Sequence, residues 1–317
     1  MQAEVEVFSG VVRQPAGVNL RRWMRRVWRH RAGYSMLAPF MIGFFLFTIL
    51  PVLAALALSL TSYDVLQRPT FIGLNNFKAL FLYDNVFILA VKNTLTYGLI
   101  TGPAGLLLSF FFAWVINRVR VTWRVPLTLA LYAPSLQAGT TVGLIAGYFF
   151  STNQYGLFNY YLYRFGFVQK PIAWLQNPHL IMPVAVGVTL WMSMGTGFLI
   201  FLAGMQTVPP ELFEAARVDG IRNAWQELVY IILPQMKPFI LMNSIFAVVG
   251  SFGGSGLLTA LSGGITSPDY AGLTIIAYAD DYATTRYMMG YAAAIAVLIF
   301  IWSYGLGRIL LNSLVDK

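Results

Sequence analysis

Long uncharged runs alternate with short polar segments along this chain. Each run reaches or exceeds the about 20 apolar residues that a membrane-spanning helix needs, and the third, fourth and fifth leave room for a loop as well. The pattern therefore predicts an all-α membrane protein with six transmembrane helices. A large soluble core would need charged faces on these segments, and they have none. The runs cover residues 34–60, 93–117, 125–163, 171–210, 238–268 and 287–307.

Composition supports the membrane interpretation and removes several classes of chemistry. Of the 317 residues, 58% are hydrophobic and only 10% are charged, whereas soluble domains carry about a quarter charged residues. No cysteine is present, which excludes disulfide and thiolate chemistry. The two histidines, His30 and His179, lie apart from each other and from any acidic cluster. We therefore expect no metal site, no cofactor bound by this chain and no catalytic residues.

Basic residues are distributed unequally between the two sides of the six-span arrangement. With the N-terminus inside, the inner segments hold 15 of the 21 Lys and Arg residues, in agreement with the positive-inside rule. This orientation places both termini in the cytoplasm. The Arg-rich segment 21–31 is interpreted as an anchor against anionic membrane lipid and not as a nucleic-acid site. The inner segments are 1–33, 118–124, 207–237 and 308–317.

The expected organisation is a single transmembrane domain with short ends. A basic cytoplasmic tail occupies residues 1–33, the transmembrane domain 34–312, and a short cytoplasmic C-terminus 313–317. One inner segment of the transmembrane domain, 207–237, is a polar island that holds four acids and three bases between two long uncharged runs. It is therefore the expected surface for a partner in the aqueous phase.

The outer connections are rich in aromatic residues. Residues 75–87 are expected to include a helix lying at the membrane interface, with Phe77, Leu80 and Phe81 towards lipid. The loop 151–178 fits an aromatic belt at the interface. A docking surface for a soluble partner is the alternative for that loop.

The polar segment 208–237 carries four acids and three bases between two uncharged runs. Proline suits the first turn of a helix, so the Pro209-Pro210 pair is predicted to open a helix. Gly220 follows at the position where a helix ends in a left-handed residue. Asn223, with Gln226 three residues later, is typical of a capping box that starts a second helix. A rigid unit of two short helices is therefore predicted, which suits the transmission of force.

The same residues resemble a known motif. Glu214-Ala215-Ala216, a glycine four residues later, and the Ile-Ile-Leu-Pro at 231–234 resemble the EAA loop of importer permeases of the ATP-binding-cassette (ABC) class. The distance from the glycine to the isoleucines is one residue longer here, with the extra residue around 221–223. The resemblance implies that this loop docks on an ATPase subunit. The residues to which it assigns that contact are Glu214, Ala215, Ala216, Asp219, Gly220, Leu233 and Pro234.

The resemblance extends from residue 36 to residue 311 and is to the maltose-type, carbohydrate-uptake branch of these permeases. It implies a type I importer architecture in a bacterial or archaeal cytoplasmic membrane, with this chain paired with a second, homologous permease in a heterodimer. Two ATPase subunits and an extracytoplasmic solute-binding protein complete the implied assembly. Because the chain has no GxxxxGK[ST] phosphate loop, ATP and Mg²⁺ are expected on the ATPase subunits.

Two alternatives stay open from the sequence. An ion-coupled secondary transporter would use charged groups within the spans or a glycine-rich break such as 251–256. The other alternative is an ABC permease for a polyol phosphate. Sugars are bound by aromatic faces and neutral polar groups, and the sugar itself, including whether it is acidic, is left undetermined. The candidate substrate-binding residues are Tyr132, Gln137, Trp191, Ser193, Thr196, Asn243, Ser251 and Phe252.

Overall fold

Most of the backbone in this computed structural model is helical, as expected where each membrane segment must satisfy its own backbone hydrogen bonds. The structure describes residues 31–137, 139–253 and 255–315. The chain divides at Ala54 into two units, and the first helix begins in the first unit. The elements are α1 (Arg31–Leu58), β1 (Thr61–Ser62), β2 (Thr70–Phe71), α2 (Asn75–Leu82), α3 (Asn85–Arg118), α4 (Val121–Tyr132), α5 (Gly139–Phe149), α6 (Leu157–Arg164), α7 (Pro178–Met192), α8 (Thr196–Gln206), α9 (Pro210–Val218), α10 (Ala224–Glu227), α11 (Leu233–Gly253), α12 (Ser255–Ser262), α13 (Ile275–Thr284) and α14 (Met289–Val315).

Five described segments are long and apolar enough to cross a membrane, and a bent pair makes a sixth. The bent pair joins Val121–Leu136 to Thr141–Phe149 at an angle of 99°. The prediction of an all-α membrane protein is thereby confirmed, and the five candidate spans become the expected six if the bent pair is counted as one span. The five continuous segments are Arg31–Leu58, Asn85–Arg118, Pro178–Gln206, Ala224–Ala247 and Met289–Ile309.

Helix α3 is the central element of the second unit and packs against α7, α8 and α11. Near its C-terminal end, Trp114 joins a buried cluster with Phe198 and Phe201 of α8. Near its N-terminal end, Phe87 joins a second cluster with Ile295 of α14. The two ends of α3 are therefore fixed in separate apolar clusters.

Polar side chains of α3 hold the segment before α13 in place. The amide Nδ2 of Asn93 donates to the carbonyl oxygens of Tyr270 at 2.8 Å and Leu273 at 3.0 Å. The hydroxyl of Thr94 accepts from the backbone N–H of Ile275 at 2.9 Å. These bonds satisfy backbone groups that have no partner in a regular element.

Helix α2 confirms one sequence expectation and corrects another. A helix is present, but Leu80 is fully buried in the cluster with Phe87, and Phe77 packs against the same cluster. Only Phe81, 48% exposed, fits the expected orientation towards lipid. The assignment of Leu80 and Phe77 to the lipid side was wrong because an apolar helix face suits lipid and protein core equally well.

Two π turns occur, each directly before a Leu-Pro pair. Phe45–Ile49 precedes Pro51 in α1, and Leu228–Ile232 precedes Pro234 at the start of α11. Proline lacks an N–H and its ring crowds the carbonyl four residues earlier, and a wider turn relieves both problems. The helix from α10 therefore continues through Pro234 and Pro238 into α11. The expectation of a short, separate second helix in the polar segment was wrong in this respect.

Candidate functional site

The polar segment folds as a helix, a tight turn and a second helix start. Helix α9 begins at Pro210 and ends at a Schellman motif. In that motif Gly220, with φ +92°, donates its N–H to the Arg217 carbonyl at 3.2 Å. Ile221 donates to the Ala216 carbonyl at 2.9 Å. The predicted helix start and left-handed glycine are confirmed.

The second helix begins with the predicted capping box. Asn223 Oδ1 accepts from the backbone N–H of Trp225 at 3.0 Å. The side chain of Gln226 returns the interaction by accepting from the backbone N–H of Asn223 at 3.3 Å. Residues 219–223 connect the two helices, and the capping box fixes the residue at which α10 begins.

One face of α9 is exposed and the other is packed. Ala216 is buried with Val208 and Ile231, whereas Val218 is 88% exposed. The exposed face carries charged side chains together with the apolar Leu212 and Val218. Of the residues assigned to the ATPase contact, Glu214, Ala215, Asp219, Gly220 and Pro234 are exposed, Leu233 is half-buried and Ala216 is buried.

Helix α3 holds this loop from the side. Its terminal Arg118 donates to Glu227 Oε2 at 2.9 Å. The rings of Trp114 and Trp225 lie with their centroids 5.2 Å apart, and the Arg118 guanidinium lies 5.6 Å from the Trp114 ring centroid. The loop is therefore connected to the central helix by an ion pair and an aromatic contact.

A cavity of about 810 Å³ lies between α3, α7, α8 and α11. Three of the predicted substrate residues, Ser193, Thr196 and Asn243, line it together. Asn243 is 4% exposed and donates through Nδ2 to the Gly197 carbonyl at 3.2 Å, while its Oδ1 has no hydrogen-bond partner among the described atoms. A buried amide oxygen without a partner costs free energy unless something occupies the space beside it.

Sequence reasoning missed the contribution of α3 to this cavity. Tyr97, Thr101, Gly105 and Ser109 all line it. They recur every four residues and so lie on one face of the helix. The Tyr97 hydroxyl lies 2.6 Å from the Thr189 hydroxyl of α7. That polar stripe within an apolar run was a signal that would have found these residues.

The remaining predicted substrate residues lie elsewhere. Trp191, 50% exposed, lines a separate apolar cavity of about 270 Å³ with Phe150 and Phe158. Tyr132 is half-buried at the end of α4, and Gln137 is exposed beyond it; neither lines the large cavity. Ser251 and Phe252 belong to the last turn of α11, and their side chains lie outside the part of the chain that the structure describes.

Comparison with known proteins decides the family. The family model described as "Binding-protein-dependent transport system inner membrane component" matches residues 105–317. The chain belongs to this family. As a member, it is a multi-pass transport subunit of the membrane and not an enzyme.

Several curated relatives align along most of the chain. The probable ABC transporter permease protein YesP of Bacillus subtilis is 34% identical over 270 residues, 85% of this chain and 86% of the relative. The arabinooligosaccharides permease AraP of the same organism is 32% identical over 85% of this chain and 84% of its own. The sulfoquinovosyl glycerol permease SmoG of Agrobacterium fabrum is 30% identical, with 84% of each covered. These names confirm the resemblance to carbohydrate-uptake permeases.

Solved structures share the fold. A bacterial ABC transporter involved in the import of the acidic polysaccharide alginate matches with a TM-score of 0.75 and 25% identity, covering 90% of this chain and 98% of that one. An alginate transporter in complex with its alginate-pentasaccharide-bound periplasmic protein matches with a TM-score of 0.80 at 23% identity, covering 92% and 96%. The predicted ABC importer permease architecture is thereby confirmed.

Proposed function

We propose that this chain is the membrane subunit of an ATP-driven, binding-protein-dependent importer of a neutral sugar or oligosaccharide. The observation that carries the substrate class is the chemistry of the large cavity. Among the described lining residues, the polar side-chain groups are the amide of Asn243 and six hydroxyls, set among apolar walls. The hydroxyls are those of Tyr97, Thr101, Ser109, Thr189, Ser193 and Thr196. Neutral donors and acceptors on an apolar surface match the hydroxyls and ring faces of a saccharide.

The charge of the cavity lining distinguishes a saccharide importer from the two alternatives, a polyol-phosphate permease and an ion-coupled carrier. No residue lining the cavity in the described part of the chain is charged. A polyol phosphate carries a dianionic group that is normally met by Arg or Lys. An ion-coupled carrier normally places a carboxylate or a base within the spans. The cavity provides neither kind of group, and a neutral saccharide requires neither.

The polar loop is the proposed receiver of ATP energy. Its exposed α9 face, with Glu214 and Asp219, is proposed to dock on one of two ATPase subunits, which bind the ATP and Mg²⁺. The Schellman turn and the capping box make the loop stiff, so a displacement of α9 is passed on without being absorbed. The Arg118–Glu227 pair then conveys it to α3, whose face lines the cavity. In the proposed assembly a second permease lies opposite and a solute-binding protein delivers the sugar from outside, with both termini in the cytoplasm.

The test is ATP hydrolysis and saccharide uptake in liposomes that hold the chain with its second permease, ATPase subunits and binding protein. Glu214→Ala and Gly220→Pro are compared with the wild type. Asp280→Ala removes an exposed acid from α13, outside the loop, and serves as the matched control. We expect both loop variants to lose binding-protein-stimulated hydrolysis and uptake while the complex stays assembled, and the control to retain both.

Two results would contradict the proposal. Uptake that persists without the ATPase subunits and follows an imposed ion gradient would replace it with a secondary transporter. Uptake of glycerol phosphate in preference to arabino-oligosaccharides and other neutral saccharides would replace the substrate class. The relative UgpA of Shigella dysenteriae, named as an sn-glycerol-3-phosphate permease and 30% identical over 72% of this chain, makes that second arm necessary.

A further inference from the structure

A second polar cavity lies at the other end of α3 from the polar loop. Its volume is about 500 Å³, and α2, α3, α13 and α14 all contribute to its wall. With 34 residues, α3 is about 50 Å long, so this cavity and the Arg118–Glu227 pair are about a membrane thickness apart. Its wall includes the polar side chains of Asp84, Tyr270, Tyr278, Tyr282, Arg286 and Tyr291.

Asp84 organises the wall of this outer cavity. Its Oδ1 caps α3 by accepting from the Phe87 N–H at 2.9 Å. Its Oδ2 accepts from the hydroxyls of Tyr278 and Tyr291, each at 2.7 Å. Burial, followed by the hydrogen bonds with Tyr282 and Asp84, raises the pKa of Tyr278 far above its usual range, so this hydroxyl stays protonated as a donor. Both carboxylate oxygens of Asp84 therefore accept internal hydrogen bonds, and the carboxylate forms part of the cavity wall.

Arg286 is the group in this wall that has hydrogen-bonding capacity to spare. Its guanidinium lies 4.3 Å from the centroid of the Tyr282 ring. Nε donates to Asp281 at 2.7 Å, and one terminal nitrogen donates to the Tyr282 hydroxyl at 3.1 Å. A guanidinium has five N–H donors, so about three remain beyond these described bonds. The Arg286 side chain is 45% exposed, and the remaining donors are accessible.

Comparison with similar pairs shows what is special about this arginine. Arg164 donates to Tyr160 and Arg308 to Tyr304 with the same four-residue spacing, so the pairing alone is an ordinary feature of these helices. The Arg286–Tyr282 pair differs because it also lines a cavity, is oriented by Asp281 and lies against a close ring face.

Backbone strain is concentrated around the same cavity. Among the described residues, the non-glycine positions with positive φ are Val65, Asp269, Tyr270 and Tyr287. Tyr270 lines the cavity, Asp269 precedes it, and Tyr287 lies between the lining residues Arg286 and Met288. A left-handed conformation costs an aromatic residue free energy and is found disproportionately at ligand sites. The Tyr270 ring, 39% exposed, lies in the wall of this cavity.

We infer that this outer cavity is a second saccharide site, occupied by the sugar before it reaches the large cavity. Tyrosine rings supply the faces on which a pyranose or furanose ring stacks, and the remaining Arg286 N–H groups donate to its oxygens. The volume is within the range of small-molecule sites. Asp84 and Asp281 together more than offset the charge of Arg286, so the site suits neutral sugars better than acidic ones. The inference rests on the proposed function and adds a site to it.

The test measures saccharide binding in the absence of the binding protein. The complex with its second permease and ATPase subunits is placed in lipid nanodiscs, and saturation-transfer NMR follows arabinotriose and trigalacturonic acid as neutral and acidic probes. We expect Arg286→Ala and Tyr270→Ala to weaken binding by about tenfold or more. Arg164→Ala, at the equivalent pair outside the cavity, is expected to leave binding unchanged. Binding retained in Asn243→Ala would show that the signal does not come from the large cavity.

Each opposing result has a distinct meaning. Binding that is lost in Asn243→Ala but unaffected in Arg286→Ala assigns the sugar to the large cavity alone and overturns the outer site. If Arg286→Ala instead weakens stimulation of ATP hydrolysis by the binding protein without changing sugar binding, the cavity is a protein contact and the inference is again overturned. Wild-type uptake without any binding-protein-free sugar signal also removes the outer site and leaves the proposed function intact. If no saccharide is taken up by the wild type, both the outer site and the proposed function are overturned.

Discussion

Among single residues, Asn243 combines burial, a position on the large cavity and an amide oxygen without a hydrogen-bond partner among the described atoms. Ser193 and Thr196 were predictable with it, because polar residues within an apolar span are few and their candidacy could be judged from residue type alone. The pair formed by Tyr97 and Thr189 could not be predicted in the same way. Its two members are 92 positions apart, and nothing local to either one indicates the other.

The first prediction separates function from stability at Asn243. We expect Asn243→Ala to lower saccharide transport efficiency by about tenfold, because an acceptor for the substrate is lost. The free energy of unfolding should change by about 1 kcal/mol or less, since the variant also removes an unsatisfied buried oxygen. Uptake kinetics and thermal unfolding of the purified complex measure the two quantities.

Asn159 is the matched comparison for that experiment. It is fully buried, and its amide makes hydrogen bonds with the backbone of Ser151 and Ile172 and with the Trp174 indole. Asn159→Ala should therefore destabilise the protein by about 2 kcal/mol or more while leaving the apparent affinity for sugar unchanged. If Asn243→Ala and Asn159→Ala lose transport equally, and in proportion to the stability that each loses, then the role of Asn243 is purely structural.

At the level of helices and turns, the sequence predicted features that depend on a few neighbouring residues. It did not predict features that depend on what packs against a helix. Pro210, Gly220 and the Asn223 capping box each act within a few residues of their own position, and each was predicted correctly. The orientation of α2 failed because its apolar face carries no information about whether lipid or protein covers it. The continuity of α10 with α11 was missed because proline ordinarily ends or kinks a helix, whereas here a π turn accommodates it.

Gly220 gives the second prediction. Its φ of +92° lies in the region that side chains disfavour, and nothing surrounds the position that a methyl group would touch. Gly220→Ala should therefore cost about 1 to 2 kcal/mol of stability through backbone strain alone and should reduce sugar uptake per ATP hydrolysed. Thermal unfolding and paired uptake and hydrolysis assays measure these effects.

Gly147 of α5 is the control for this substitution. It too has open space around it, but it lies within a helix and does not have a positive φ. Gly147→Ala should be neutral or slightly stabilising. A Gly220→Ala protein as stable and as well coupled as the Gly147→Ala protein would contradict the role assigned to the Schellman turn.

The π turn before Pro234 gives the third prediction. Pro234→Ala restores a backbone donor, so the wide turn at 228–232 should convert towards regular α-helix. Stability should stay constant or increase by about 1 kcal/mol. The helix beyond the turn would rotate relative to α10, and we expect less uptake per ATP hydrolysed. Pro238→Ala is the control, because Pro238 lies in the same helix and the residues directly before it are α-helical. Identical coupling in the two variants would count against a mechanical role for the turn.

For the molecule as a whole, α3 joins regions that are far apart in function. Its N-terminal cap Asp84 belongs to the outer cavity, its middle lines the large cavity, and its terminal Arg118 contacts the polar loop. The sequence predicted α3 as a span and the loop as a partner surface, but not that one helix contributes to all three regions. Those regions depend on contacts with α7, α11, α13 and α14, and long-range packing of this kind is not encoded in any one segment.

The fourth prediction concerns the connection between α3 and the loop. In a double-mutant cycle, Arg118→Ala and Glu227→Ala should show a coupling energy of about 0.5 to 1 kcal/mol, because Arg118 is partly exposed and solvent screens the pair. Uptake per ATP should fall in both single variants. The exchanged pair, Arg118→Glu with Glu227→Arg, should recover part of it. If both single variants keep the wild-type uptake per ATP hydrolysed, then movement of the loop reaches the spans by another path.

The contact between Trp114 and Trp225 has an optical consequence. It is the indole–indole contact among the described residues, with centroids 5.2 Å apart at an interplanar angle of 39°. Two indoles at that separation and inclination are close enough for their excited states to interact, which gives a circular dichroism signal that depends on their mutual orientation. The junction between the loop and the central helix thus carries its own spectroscopic reporter. A change in the distance or angle between the two indoles can therefore be followed in the native protein without any attached label.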